Sequence, residues 1–334
     1  MARPLRIETP GMWYHVMNRG DDRRTVFLED ADYEMFLKQL ADSCALYHVE
    51  VHAYALMRNH VHLYLHPREA NLGRFMQRLF TAYSIAHNLK HERSGHVFQG
   101  RYKALVVDRT DYGNEVSRYL HLNPVEAGDS SRNLTERRRV LREYRWSSYG
   151  AMIGIAAAHP ALVRADTLER FEGTRQEQEK AYAAFVEEGL LRTIEDPAAL
   201  AKGQLVIGRD RFVDKILRIL KGRTEKDEQA ERSRRRLVSV KIDKVKKVVA
   251  REYRVTLEDI EKKGAHGNEA RQAAMWLASK VCIGGMSLKA VGAVFGVSVS
   301  RAVRVRDRME ERTQKDRRLR RRLNTLVQKA INNA

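Results

Sequence analysis

The chain has 334 residues, room for two or three domains that each bury a core. Sixty-two Lys and Arg against 43 Asp and Glu leave a formal charge of +19, which points to a polyanionic partner. Two distant cysteines, Cys44 and Cys282, argue against a disulfide scaffold or a cysteine zinc site, and no apolar run nears the roughly 18 residues of a membrane span.

The opening MARPLRIETPG has no hydrophobic signal core, so a cytoplasmic, nucleoid-associated protein is expected. From Tyr14 to about Pro67 the pattern reads strand, turn, helix and two further strands. The segments are WYHVMNRG, the helical DADYEMFLKQLADSCALYHV, VHAYALM and HVHLYLHP, with Arg58 and Asn59 between the last two. Leu72, Phe75, Met76, Leu79, Phe80 and Tyr83 then recur at helical spacing. A Gly-containing loop leads to the strand ALVVD and the helical EVSRYLHLN, so the layout is α+β. Residues 156–229 read as a helical connecting region. From the basic run AERSRRRLVSVKIDKVKKVV to the C-terminus the pattern is almost wholly helical, so 230–334 is expected to be a separate all-α module.

In HVHLYLH the alternation of a strand puts His60, His62 and Tyr64 on one face and Val61, Leu63 and Leu65 on the other. Two imidazoles about seven ångströms apart along a strand can converge on one ion. An isolated pair of this kind is more often ordinary surface or packing histidine. Tyr83, some twenty residues on along an amphipathic helix, strengthens the metal reading, with His87 one turn beyond it. A core position for Tyr83 and a solvated one for His87 are the plainer alternatives. Tyrosine suits attack on a phosphodiester, because a phosphotyrosine bond conserves the energy needed to rejoin the strand. The phenol is barely ionised at neutral pH, so an ion on His60 and His62 would be needed to activate the phosphate, with Mg²⁺ or Mn²⁺ suited to oxygen-rich ligands.

At these residues the sequence resembles the REP-associated tyrosine transposases, a single-tyrosine branch of the HUH nucleases. The resemblance rests on six blocks in order: MARPLRIETPGMWYHVMNRG, HAYALMRNHVHLYLHP, MQRLFTAYSIAHN, SGHVFQGRYKALVVD, YLHLNPVEAG and YRWSSYGAMIG. It covers nearly all of the first 150 residues, within an expected domain of 1–155, and implies a ferredoxin-like antiparallel sheet with the histidines on a central strand and Tyr83 on a helix facing them. It also implies cleavage of single-stranded DNA near a hairpin of the repetitive extragenic palindromic type, leaving a 5′-phosphotyrosine and a free 3′-hydroxyl. Relatives often carry a further aromatic followed by Asn after the nucleophile. Here the stretch is Tyr83-Ser84-Ile85-Ala86-His87-Asn88, which leaves the third ligand open between His87 and Asn88, with a lean to His87.

Asn18, Arg19, Gly20, Arg23 and Arg24 resemble the family's basic turn and are candidates to hold phosphate or a base. Arg101, Tyr102 and Lys103 combine charge with an aromatic that could clamp a backbone and stack a base. Near the C-terminus, EARQAAMWLASKVCIGGMSLKAVGAVFGVSVSRAVRVRDRM reads as helix, short helix, Gly296 turn and second helix. It resembles the DNA-binding helix-turn-helix domain of the replication initiator DnaA, without that protein's acidic residue and histidine at the turn. Ser298, Ser300, Arg301 and Arg304 would open the second helix and reach base edges or phosphates.

The expected function is therefore a metal-dependent transposase acting on hairpin-bearing single-stranded DNA, with duplex DNA held by the C-terminal domain and no membrane partner. A DNA-binding regulator that kept the fold and lost the chemistry is the alternative. The oligomeric state is left open, with a lean to a monomer.

Overall fold

The computed structural model describes residues 7–127, 133–191, 196, 197, 199, 201–203, 205–221, 242–262, 268–282 and 288–332. They form two compact units, 1–201 with 206–209, and 202–205 with 210–334. The expected boundary at 229/230 lies outside the described residues.

The first unit opens with β1 (Trp13–Arg19), α1 (Asp30–Tyr47), β2 (Val49–Met57), β3 (His60–Pro67), α2 (Leu72–Lys90) and β4 (Lys103–Val107). Sheet order is β2-β3-β1-β4, and each neighbouring pair is antiparallel. This βαββαβ order is the ferredoxin-like arrangement expected from the sequence. It is extended by β5 (Val206–Ile207), which runs parallel to β4 and makes the whole sheet mixed.

Alternation sorts the two faces. Cross-strand pairing of His15 with Tyr64, Met17 with His62 and Arg19 with His60 places Trp13, His15, Met17 and Arg19 on the same face as His60, His62 and Tyr64. The opposite face carries Tyr14, Val16 and Asn18 beside Leu65, Leu63 and Val61, nearly all fully buried. Helices α1 and α2 cover that apolar face: Phe27 and Phe36 pack on Tyr83, and Phe80 packs on Phe98. The α1 N-terminus is fixed by a capping box in which the buried Asp32 carboxylate accepts from Leu28 N and Glu29 N.

The histidine face is covered by a different element, α3 (Arg109–Glu126), whose start is capped by Asp108. Val116 and Leu120 of α3 share a core with Trp13, Ala53, Tyr64, Leu105 and Val107. Behind α3 lie α4 (Leu134–Glu143), α5 (Tyr149–Met152), α6 (Ala165–Leu168) and α7 (Arg175–Glu188). Leu122 and Val125 bury against Tyr149, Met152, Tyr182 and Val186, so much of the expected connecting region packs onto the sheet unit as part of it.

The second unit holds α8 (Asp210–Lys221), α9 (Ile242–Tyr253), α10 (Leu257–Glu261), α11 (Glu269–Val281), α12 (Leu288–Val294), α13 (Val299–Lys315) and α14 (Arg317–Asn332). Trp276, Phe295, Met309, Leu323 and Leu326 are among the residues of one shared core. Gly296, at φ +61°, makes the turn between α12 and α13, a left-handed conformation that a side chain would strain. No helix of the described residues is long and apolar enough to cross a membrane.

Candidate active site

The site grows from the end of the β1–β3 ladder. His60 and His62 stand two residues apart on β3 with ring centroids 5.1 Å apart. His62 is buried, and its Nδ1 lies 3.0 Å from Nε2 of the wholly buried His15. His60 Nδ1 lies 2.7 Å from Asn59 Oδ1. Burial pushes the His60 pKa down to about 4, helped by the Arg19 charge, and holds His62 well below the usual histidine range. Both rings are therefore neutral at physiological pH.

The hydrogen bond to Asn59 also chooses the His60 tautomer. An asparagine oxygen only accepts, so His60 Nδ1 carries the proton and Nε2 keeps its lone pair. The 3.0 Å contact of His62 Nδ1 with His15 Nε2 is compatible with the same state in His62, with Nδ1 donating and Nε2 keeping its lone pair. With His62 in that tautomer both Nε2 atoms keep a lone pair for an ion, which is the arrangement a divalent metal requires of two histidines.

Tyr83 does not reach this pair. It is wholly buried on the opposite side of the sheet, and its hydroxyl donates to Val26 O at 2.5 Å. Its ring is enclosed by Phe27, Phe36 and Phe98, and burial raises its pKa above the ordinary phenol value. The expectation of a nucleophile at Tyr83 is corrected on this ground: the residue is a core aromatic. The two candidate third ligands fall with it. His87 is buried beside Tyr83 and His91, and the Asn88 amide donates to Gly95 O at 2.9 Å.

The tyrosine that does face the histidines is Tyr119 on α3. Its ring centroid lies 5.8 Å from that of His62 and 6.0 Å from that of His15, edge-on to both. It is half-buried, and burial, reinforced by the Asp196 carboxylate that shares its hydrogen bond, pushes its pKa up to about 12. Asn123, one turn further along α3, donates from Nδ2 to Tyr119 O at 2.8 Å.

The basic residues divide between the faces. Arg19 is exposed on the histidine face, with its Cα paired to that of His60. Arg23 and Arg24 are exposed on the following turn, and Arg23 adopts φ +59°. A groove of about 680 Å³ begins at His60 and is lined by Arg23, Arg58, Asn59, Pro124 and Tyr144. Lys103 is exposed, and its Cα pairing with Met17 puts it on the histidine face. Asn18, Arg101 and Tyr102 instead line a cavity of about 610 Å³ on the α2 side with Phe80 and Phe98.

In the second unit, α13 is capped by the Ser298 side chain, which accepts from Arg301 N. Ser300 and Arg304 are exposed on its first turns, and Arg301 is half-buried. The buried Arg271 guanidinium donates to Ile260 O and Phe295 O, fastening α11 to the end of α12.

Residues 8–123 match the family model described as transposase, IS200-like, a span that contains His60, His62, Tyr119 and Asn123. Residues 242–304 match the model of the bacterial dnaA protein helix-turn-helix. No curated protein matches the chain. Among solved structures, the chain is similar to a REP-associated tyrosine transposase bound to a REP hairpin, at 16% identity and a TM-score of 0.38, over 49% of this chain and 93% of that one.

Proposed function

We propose that this chain cuts and rejoins single-stranded DNA with Tyr119 as nucleophile and with His60 and His62 holding a divalent ion, while the C-terminal helix-turn-helix grips duplex DNA. The observation that carries the reading is the meeting of Tyr119 with His62, at a 5.8 Å ring separation, on the sheet face that also carries His60. The match of residues 8–123 to IS200-like transposases supports it. A hairpin of the repetitive extragenic palindromic type as substrate rests on the resemblance of the six sequence blocks.

The chain's residues divide the work as follows. The Nε2 atoms of His60 and His62 would hold the ion, and the Asn123 amide oxygen replaces His87 and Asn88 as the candidate third ligand. When bound, Mg²⁺ or Mn²⁺ would polarise the scissile phosphate and neutralise charge on its non-bridging oxygens. Tyr119 Oη attacks phosphorus, so that an Oη–P bond forms and the bond from phosphorus to the 3′ oxygen breaks. The products are a 5′-phosphotyrosine and a free 3′-hydroxyl. Asp196, hydrogen-bonded to the Tyr119 hydroxyl, is placed to receive the phenolic proton. Attack by a 3′-hydroxyl on the phosphotyrosine reverses these steps and rejoins strands without ATP.

Arg19, Arg23 and Arg58 line the approach to His60 and suit the phosphates of the incoming strand. On α13, Ser300, Arg301 and Arg304 suit a duplex groove. Incubation with labelled hairpin DNA tests the assignment: a denaturation-resistant adduct should need divalent metal and be abolished by Tyr119→Phe but retained by Tyr83→Phe. Tight binding without any adduct across several hairpins would instead favour the regulator.

A further inference from the structure

The histidine face of the sheet continues along β3 beyond His62 and Tyr64 to His66, where a second cluster lies that strand cleavage does not use. Pairing of β2 with β3 matches Glu50 to His66, Val51 to Leu65 and then Ala53 to Tyr64. His52 is therefore the extra residue of a β-bulge, a device that re-aims one side chain without disturbing the rest of the ladder. The bulge brings His52 alongside Glu50 and His66.

Within this cluster His66 Nδ1 lies 3.0 Å from Glu50 Oε2, and His52 Nε2 lies 3.5 Å from the same oxygen. One ligand atom from each of the three residues lies within 4.8 Å of the others. An ion bound tetrahedrally at about 2.0–2.2 Å needs ligand atoms about 3.3–3.5 Å apart. The observed spacing is already close to that.

His52 is wholly buried, and neither of its ring nitrogens makes a well-aligned hydrogen bond, Glu50 Oε2 standing 3.5 Å from Nε2. An ordinary ion pair of His66 with Glu50 would leave that buried imidazole unsatisfied, whereas an ion would complete it.

The surroundings hold the donors in place. Arg68 engages Glu50 Oε1 at 2.5 and 3.0 Å, so Oε2 is the oxygen turned to the imidazoles. Asp166 Oδ2 stands 4.0 Å from His52 Nδ1, and the other oxygen of the same carboxylate, Oδ1, is held by Arg109 at 2.8 Å. Trp13 packs on both rings, with centroids 4.1 Å from His52 and 4.5 Å from His66.

A second cluster, Asp32 with His87 and His91, is less suited. There the Asp32 carboxylate already accepts from Leu28 N, Glu29 N, Lys90 and His91, and the Lys90 ammonium supplies the positive charge.

We infer that Glu50 Oε2, His52 Nε2 and His66 Nδ1 form a second metal site, distinct from the His60–His62 pair, which binds a zinc-type divalent ion with water completing the shell. Two imidazoles and one carboxylate match zinc's preferences better than those of Mg²⁺. The ion would tie the bulged edge strand β2 to β3 about 13 Å along the strand from His62.

The test is metal content of the full chain after equilibration with Zn²⁺ and removal of free ion. His60→Ala/His62→Ala protein should keep one equivalent of zinc, and adding His66→Gln should remove it. Co²⁺ in place of zinc should give visible bands of a low-coordinate site that vanish with the same substitution. Saturation at about 100 times the dissociation constant should raise Tm by roughly 5–10 °C. If the His66→Gln chain does not fold, Glu50→Gln, with its fold checked by circular dichroism, should show the same loss. Absence of retained zinc in His60→Ala/His62→Ala protein would overturn the inference. So would zinc that survives His66→Gln or depends on His87.

Discussion

Replacing Tyr83 by Phe separates the core reading of this residue from the nucleophile reading. The ring stays in its cage of Phe27, Phe36 and Phe98, so packing is kept and only the hydroxyl is lost. That hydroxyl is the donor to the carbonyl of the fully buried Val26, which water cannot replace as partner. A buried acceptor left unsatisfied costs about 1–3 kcal/mol. In a unit of this size, roughly 2–4 °C of Tm accompanies each kcal/mol, so the midpoint should fall by about 2–12 °C. Thermal unfolding followed by circular dichroism measures the loss, and hairpin cleavage by the same preparation, assayed well below the midpoint, should stay within about threefold of wild type. A Tyr83→Phe protein with unchanged Tm and no covalent adduct would refute the reasoning, because the hydroxyl would then serve chemistry and not the core.

Acid should destabilise the sheet unit well above the carboxylate range. Burial pushes His15 and His121 from 6.5 down to about 3, so between those values the unfolded chain binds more protons than the folded one. Their contribution is complete above about pH 6.5 and is lost as pH falls towards 3, about 2 kcal/mol per histidine by about pH 5; equal urea midpoints at about pH 7.5 and about pH 5 would contradict this. Asp196→Asn removes the base beside Tyr119 and should slow adduct formation by about 10²-fold or more near neutral pH, with single-stranded binding preserved; an unchanged single-turnover rate would remove Asp196 from the chemistry. Arg304→Ala should weaken duplex binding and reduce the slope of log K against log salt by about 0.9, the value for one phosphate; an unchanged slope in a salt titration would place Arg304 off the DNA.

The strands and helices were legible because their periods are clean: the alternation in HVHLYLHP and the helical recurrence from Leu72 to Tyr83 correspond to β3 and α2. His60 and His62 were legible for the same reason, since alternation alone puts them on one face. The identity of the facing tyrosine was not read, although the physical signal was present. Two right-handed crossovers in a βαββαβ chain put α1 and α2 on the same side of the sheet. The side they must cover is the apolar one, with Val61, Leu63 and Leu65, so a tyrosine on α2 is turned away from the histidines. A tyrosine facing the histidines has to come from the helix after β4, where YLHLN places Tyr119 and Asn123 one turn apart. His15 and Asp196 carry no local signal, because the β1–β3 pairing and the return of the chain after α7 bring them to the site. The His52 bulge was equally hidden: a strict alternation through VEVHAYALM assigns His52 and Glu50 to one face but gives no sign of the extra residue at Val51–Ala53.

The central claim is that Tyr119, opposed to His60 and His62, is the residue that becomes joined to DNA. The direct measurement is to trap the adduct on a hairpin substrate with Mn²⁺, digest the protein and locate the nucleotide-bearing residue by mass spectrometry. Attachment at Tyr119, absent in EDTA and in His60→Ala/His62→Ala protein, is the predicted result. Attachment at Tyr83, or at any residue away from α3, would contradict the account.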